Sequence, residues 1–427
     1  MFFLIYNLIS IALVVPVVAY HLYRSISRGR PPALAERFGF ISPSDLSAIG
    51  KRPVIWLHAV SVGESIAARP LLKALRGRYP DHAILISNTT ETGRGIASSF
   101  PEKDACIYFP FDFLPVVRRT LDAVRPEVVI IMETEIWPNF TREAAARGIP
   151  VILANGRISD RSYSRYLRFS WFFRHALQLF SRLCMQTGTD CERIVAIGAP
   201  AASTVMSGNL KYDIPYRQVE EPEKRRLQEQ YAIPPGVVVL TAGSTHAGEE
   251  QIVIDTYRNL LLSCPELFLV LVPRHPERAA EVASLLERSG LVFRRRSSLP
   301  CPEAFHSGEV LLVDTVGELM NLYALADLAF VGGSLVPTGG HNLLEPASVG
   351  VASLFGPHMT NFREIADLVL KYGAGVQVGS PEALADACRT LLASGELRLV
   401  LGRNGLKLMR DNGGATERHM EAIAEYL

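Results

Sequence analysis

The 427-residue sequence lacks the marks that sort many chains at sight. Its six cysteines, at 106, 184, 191, 264, 301 and 388, form no CxxC pair. That excludes a zinc ribbon or thioredoxin-type motif and, at this length, a disulfide scaffold; buried, reduced thiols are the plain expectation. No HExxH or other clustered metal-ligand pattern occurs, so a catalytic metal is not indicated. The P-loop pattern GxxxxGK followed by Ser or Thr is also missing, which leaves a P-loop ATPase unsupported. Internal repeats and low-complexity tracts are absent. Net charge is nearly absent too: 44 basic and 43 acidic residues give +1, which argues against bulk polyanion binding. With 48% apolar and 20% charged residues, intrinsic disorder is excluded.

The first 23 residues, MFFLIYNLISIALVVPVVAYHLY, lack charge altogether, and 19 of them are apolar. A helix of about 20 apolar residues spans a bilayer core, and an internal Pro16 is tolerated there. No basic residue precedes Arg24, which argues against a cleaved signal peptide. Arg24, Arg28, Arg30 and Arg37 come next, and the positive-inside rule then puts the body in the cytoplasm. A hydrophobic helix packed on the body is the alternative.

The body of the chain alternates strand-like and helix-like runs. PVIWLHAV (53–60), HAILIS (82–87), PEVVIIME (126–133) and PVILAN (150–155) form one series. GVVVLTAG (236–243), LFLVLVP (267–273), EVLLVD (309–314), LAFVGG (328–333) and ASLFG (352–356) form a second. The polar stretch 212–227 separates them. Repeated βα units imply parallel sheets covered by helices: an α/β chain with two Rossmann-like domains facing a cleft. The expected division is an anchor at 1–23, a first domain at 24–211, a second at 212–405, and a C-terminal helical segment at 406–427 that packs back on the first.

Chemistry-bearing residues gather where strands end. HAVSVGES (58–65) turns from strand to helix: Gly63 permits a tight turn, and a helix dipole would keep Glu64 ionised as a general base. Ser61 and Glu64 also fit a capping box, in which Glu64 only satisfies a backbone N–H. METEIWPN (132–139) places Glu133 and Glu135 with one parity at a strand end, as a hydroxyl-binding pair or as ordinary loop charges. Residues 155–182 hold six arginines and one acid among Tyr163, Tyr166, Trp171, Phe172 and Phe173. That composition suits anionic lipid at a membrane interface, single-stranded nucleic acid, or a helix with one packed and one solvated face. Lys211, in SGNLKYD, is a candidate donor to phosphate or carboxylate. In the second series, GSTHAGEE (243–250) offers an anion cradle, with Glu249 equally a helix-start carboxylate; Arg274 and His275 are phosphate or base candidates, His275 alternatively a structural loop residue; and DTVGEL (314–319) opens a helix that can offer backbone N–H groups. The loop GGSLVPTGGHNLLEP (332–346) is expected to present free N–H groups to a phosphate diester. Its Asn342 and Glu345 fit either a capping box or ribose contacts.

Together the ordered motifs HAVSVGE, METEIWPN, NGRIS, GNLKYD, GSTHAGEE, PRHPER, GGS, GGHNLLEP and GPHMTNF resemble the 3-deoxy-D-manno-octulosonic acid (Kdo) transferases of lipopolysaccharide synthesis. The resemblance runs from the N-terminal segment to about residue 415. It implies the GT-B fold, with CMP-Kdo as a substrate and no cofactor. Kdo would pass to a lipid A precursor of lipid IVA type at the cytoplasmic face of the inner membrane, with inversion and no required metal. It implies Glu64 as the general base, with Ser61, Gly63, Glu133 and Lys211 near the acceptor or sugar. Arg274, His275, Gly317, Glu318, Ser334, Asn342 and Glu345 would contact CMP. Anionic membrane lipids are the expected further partner and nucleic acid is not. Two other readings remain: a GT-B enzyme using a UDP-sugar, such as a hexosyltransferase or epimerase, and a non-enzymatic nucleotide-sugar binding protein.

Overall fold

The computed structural model describes residues 2–28, 33–299 and 305–427; Arg30 and Cys301 lie outside the described residues. The chain divides into two compact units, Met1–Asp213 with Asn412–Leu427, and Ile214–Asp411. Each is built on a seven-stranded sheet paired in parallel throughout.

In the first unit the strands are β1 (Val54–His58), β2 (Ala83–Asn88), β3 (Ala105–Tyr108), β4 (Val128–Met132), β5 (Val151–Gly156), β6 (Arg182–Met185) and β7 (Thr204–Met206). Their order is β3-β2-β1-β4-β5-β6-β7. Runs such as VIWLH and VVIIM are buried at every position, as expected of strands covered on both faces. Each fully buried Ile, Leu or Val contributes about 1.5–3 kcal/mol. The helix Ala415–Ala424 completes this core with Ala415, Met420, Ala422 and Ile423, beside Leu71, Ile86 and Ile130.

The second unit has β8 (Val238–Thr245), β9 (Leu267–Pro273), β10 (Phe293–Arg295), β11 (Val310–Leu312), β12 (Leu328–Val331), β13 (Ser353–Phe355) and β14 (Gly375–Gln377), in the order β10-β11-β9-β8-β12-β13-β14. The polar stretch after residue 212 holds a helix, Glu221–Gln230, with Arg217 N donating to Ser348 O at 2.9 Å. In both sheets the order reverses beside the first strand, between β1 and β4 and between β8 and β12. Loops leaving the carboxyl ends there diverge and open a crevice in each unit.

The N-terminal helix Phe2–Arg28 runs unbroken through Pro16. Its stretch Phe2–Tyr23 is long and apolar enough to cross a membrane, and Ser10 is its one buried residue. One stripe nevertheless lies against the first unit near both helix ends. Tyr6 Oη donates to Asp112 Oδ2 at 2.8 Å, and Asn7 exchanges amide hydrogen bonds with Asn139 at 2.9 and 3.1 Å. Phe2 stacks on His175 at 4.6 Å, and His21 meets Phe111 at 5.2 Å. Asp112 also accepts the N–H groups of Asn139 (3.0 Å) and Phe140 (2.8 Å), at the start of the helix Pro138–Ala146. Burial pushes its carboxyl up to about 6.

Asp112→Ala would strand two helix-start donors and the Tyr6 hydroxyl. A loss of about 1–3 kcal/mol is expected from the urea midpoint, and less for Tyr6→Phe, which removes one bond only. Equal effects of the two substitutions would contradict this arrangement.

Candidate active site

At the β1/β4 reversal, the helix Val62–Arg78 starts at Ser61, whose Oγ accepts from Glu64 N at 3.4 Å. The Glu64 carboxylate folds back in return: Oε2 accepts from Val60 N at 2.7 Å and Oε1 from Ser61 Oγ at 3.0 Å. The capping geometry is therefore real, although the backbone bond goes to Val60 and not to the cap residue itself. Gly63 makes no tight turn. It lies inside the first helical turn, where an added Cβ would meet only Ser61 Oγ, at an ordinary contact distance of 3.9 Å, so its surroundings do not demand glycine.

The helix dipole does not decide the state of Glu64, as its position at the helix start had suggested. The residue is 9% exposed, and burial, assisted by the charge of Glu133, pushes its pKa up to about 7 against the hydrogen bonds and Lys211. Glu135 is likewise raised to about 7, first by burial and then by Glu64 and Glu133. Three carboxyl groups thus share one crevice. Lys211 Nζ, 3.9 Å from Glu133 Oε1, is a cation beside them.

The backbone that presents these groups is strained. Glu133 and Asn155, at the ends of β4 and β5, have φ of 56° and 57°. Such residues persist only where their surroundings hold them. Asn155 N donates to His419 Nε2 at 2.9 Å, and Asn155 Oδ1 accepts from Leu210 N at 3.0 Å, next to Lys211. His419 donates from Nδ1 to Ala415 O at 2.7 Å, and burial lowers its pKa to about 4. This neutral tautomer lets the C-terminal helix set the position of Lys211 through Asn155. His58, first residue of the HAVSVGES motif, is core: it is fully buried, stacks on Phe109 at 3.9 Å, and is held neutral by burial, with its pKa lowered to about 3.

At the β8/β12 reversal the glycine-rich loop departs from expectation. The N–H groups of Gly333, Ser334 and Leu335 are already bound by the Glu249 carboxylate, at 2.6, 2.9 and 2.8 Å, and His246 N donates to it at 3.0 Å. Glu249 is fully buried at the start of the helix Glu249–Leu261. The nest that could hold a phosphate holds a side chain of the same chain. Ser334 is also fully buried; its hydroxyl donates to Val331 O at 2.5 Å and accepts from Gly356 N at 2.8 Å. It braces the loop and has no hydroxyl to offer a ligand.

The other expected nucleotide contacts divide in two. Arg274 and His275 follow β9 and are exposed; Arg274 N donates to Thr245 O at 2.9 Å, and its guanidinium has no ion-pair partner among the described residues. The Glu345 carboxyl has no hydrogen-bond partner among the described residues. Burial pushes it up to about 7 against the pull of Arg274. The capping box suggested for Asn342 and Glu345 does not form as drawn: Asn342 Oδ1 accepts from Leu344 N at 3.1 Å, two residues on. Gly317 adopts φ +87°, and Glu318 is held by Arg296 at 2.9 Å and by Tyr231 Oη at 3.3 Å. Two histidines that the sequence pattern did not single out also stand here. His246 Nε2 lies 2.8 Å from His341 Nε2, with His275 stacked edge-on to His246. Among the described residues no group of three or more His, Cys, Asp or Glu is placed to hold a metal ion.

Comparison with known proteins narrows what these crevices serve. Residues 32–214 match the family model described as 3-Deoxy-D-manno-octulosonic-acid transferase (kdotransferase). A relative from Haemophilus influenzae, named 3-deoxy-D-manno-octulosonic acid transferase, is 35% identical over 92% of this chain and 91% of its own. The chain belongs to the Kdo transferase family. It is accordingly a glycosyltransferase of lipopolysaccharide synthesis. The C-terminal CMP-Kdo binding domain of WaaA from Acinetobacter baumannii is 34% identical, covering 44% of this chain and 97% of that one, with a TM-score of 0.41. UDP-GlcNAc 2-epimerase from Neisseria meningitidis is 14% identical, covers 87% of this chain and 100% of that one, and has a TM-score of 0.55. That likeness shows the shared GT-B fold.

The raised carboxyl groups carry a stability signature. Glu64 and Glu135 rise from 4.5 to about 7 on folding, so their contribution is full below about 4.5 and is lost as pH rises through about 7. Glu64→Gln should therefore unfold at or above the wild-type temperature at pH 8, with that advantage gone by pH 5. A variant less stable at pH 8 than at pH 5, relative to wild type, would contradict the shift.

Proposed function

We propose that the chain transfers Kdo from CMP-Kdo to a lipid A precursor of lipid IVA type, with inversion at the anomeric carbon. The observation that carries the reading is the buried carboxyl cluster around Glu64, on a chain of the Kdo transferase family. A carboxyl with a pKa near 7 is a base matched to neutral pH. In the proposed step Glu64 takes the proton of the acceptor hydroxyl. The oxygen forms its bond to the anomeric carbon while the bond to the CMP phosphate breaks on the opposite face. Positive character at that carbon is favoured by neighbouring carboxylates such as Glu133, and Lys211 orients the acidic sugar or the acceptor. Ser61 and Gly63 shape the wall beside Glu64.

For the second unit we assign Arg274 and His275 to the CMP phosphate. Glu345 and Asn342 are assigned to the ribose, and Gly317 with Glu318 to the base side. Ser334 is assigned to holding the loop. The leaving charge is met by Arg274, so the reading requires no metal. Division of labour follows the two units, acceptor chemistry in the first and nucleotide binding in the second.

The membrane reading is that the N-terminal helix holds the chain at the cytoplasmic face of the inner membrane. Because the helix contacts its own unit near both ends, its exposed face and not its whole girth would meet lipid; Leu4, Leu8, Ile11 and Val15 on it are 67, 60, 68 and 74% exposed. The arginine-aromatic stretch splits in support. Tyr163, Tyr166 and Phe173 pack on the core, while Leu167, Phe169 and Trp171 are exposed at 42, 45 and 62%. Exposed aromatics beside arginines suit an anionic interface.

Purified protein given CMP-Kdo and a tetraacyl lipid A precursor should yield a Kdo adduct by mass, unchanged in EDTA. Glu64→Ala should lose about 10²–10⁴ in rate, and near-normal turnover by that variant would overturn the base assignment. Replacing Arg165 and Arg168 by Ala should weaken binding to anionic vesicles at low salt and little at high salt; salt-independent binding would remove them from the interface.

A further inference from the structure

The histidine pair in the second unit has no part in the proposed transfer step, yet its geometry is specific. His246 follows β8 and His341 lies in the loop after β12, on the two strands that flank the sheet reversal. Their rings lie nearly coplanar in orientation, 13° apart with centroids at 5.1 Å, and the Nε2 atoms meet at 2.8 Å. The approach is built in. Gly333, at φ +66°, has no side chain, and a Cβ there would sit 2.9 Å from His341 Cδ2. His246 is fixed from behind by its own N–H to Glu249, the carboxylate that also ties down the loop carrying His341.

Two imidazole nitrogens at this distance must have one hydrogen between them. One ring donates from Nε2 and keeps a lone pair on Nδ1; the other accepts at Nε2 and carries its hydrogen on Nδ1. A single added proton on the donor's Nδ1 makes an imidazolium without breaking the bond, while a second would set N–H against N–H. The pair is thus a site for one proton. Burial, with the charged groups around it, keeps it empty at rest. Burial, then Arg274 and His275, hold His341 down to about 4, and burial, His275, Arg274 and Arg278 lower His246 against the opposing charge of Glu249.

We propose that His246 and His341 take up one proton when CMP replaces CMP-sugar, supplying the positive charge that matches the leaving phosphate. This rests on the nucleotide-binding reading of the second unit. A phosphate diester carries one negative charge; the monoester left when its sugar bond breaks carries about one more near neutral pH. Arg274 is a fixed charge and cannot follow that change, whereas the histidine pair can. The site would then favour the broken bond over the intact one, as differential binding requires.

The test is calorimetric titration of the full chain at pH 7.5, in buffers of different ionisation enthalpy. The ligands are CMP, and CMP methyl ester as the diester. Uptake of about half to one proton with CMP, and little with the methyl ester, is expected. His341→Gln and His246→Gln should lose the uptake while still binding both ligands, and should bind CMP several-fold less well relative to the ester. Equal proton uptake by the two ligands in the wild type would overturn the proposal, whatever the variants do. Undiminished uptake in both variants would also overturn it. Absence of binding by either ligand would instead overturn the nucleotide reading, and this inference with it.

Discussion

Each sheet reverses its strand order beside its first strand, and that constraint governs where chemistry can stand. Parallel strands deliver every loop of one kind to the same edge, and only at the reversal do neighbouring loops part. In the first unit the gap lies between β1 and β4, and the residues beside it are Glu64, Glu133 and Glu135. In the second it lies between β8 and β12, beside His246, Glu249 and the glycine-rich loop. The strand order puts those residues together across 71 and 95 positions of sequence (Glu64 to Glu135, His246 to His341).

The two crevices treat their carboxyl groups in opposite ways. Glu249 meets four backbone N–H groups and becomes a fixed part of the loop. Glu64 and Glu135 have too few donors for their burial, and burial raises both to about 7. A carboxyl held in that condition costs stability and is poised to exchange a proton, a combination expected of function rather than scaffold. The strained backbone at Glu133, Asn155 and Ser244, with φ of 56–57°, marks the same strand ends.

Much of this was legible in the sequence, and the misses have physical reasons. Long apolar runs such as VVIIM and LFLVLVP announced their strands because a parallel sheet is buried on both faces. The strands RLCM, TVM, FRR and GVQ are short and carry polar or half-exposed positions, so no apolar run marks them, whereas the equally short VLL, LAFV and SLF are buried throughout and were legible. The capping motif at Ser61 and Glu64 is legible as local geometry, but burial, a property of the whole unit, sets the state of the carboxyl. Local pattern allowed Glu249 as a helix-start carboxylate but could not show its partners at Gly333, Ser334 and Leu335, 84 to 86 residues away. The glycines therefore looked free when they were not, and the histidine pair that the same contact assembles went unnoticed.

On the proposed reading Glu64 is a base whose proton affinity is set by its burial and raised further by Glu133. The direct measurement is kcat/KM for Kdo transfer between pH 5 and 9, in the wild type and in Glu133→Gln. An acid limb with its midpoint near 7, moved to lower pH in the variant, is the predicted result. A rate flat across that range, or a limb that Glu133→Gln leaves in place, would contradict it.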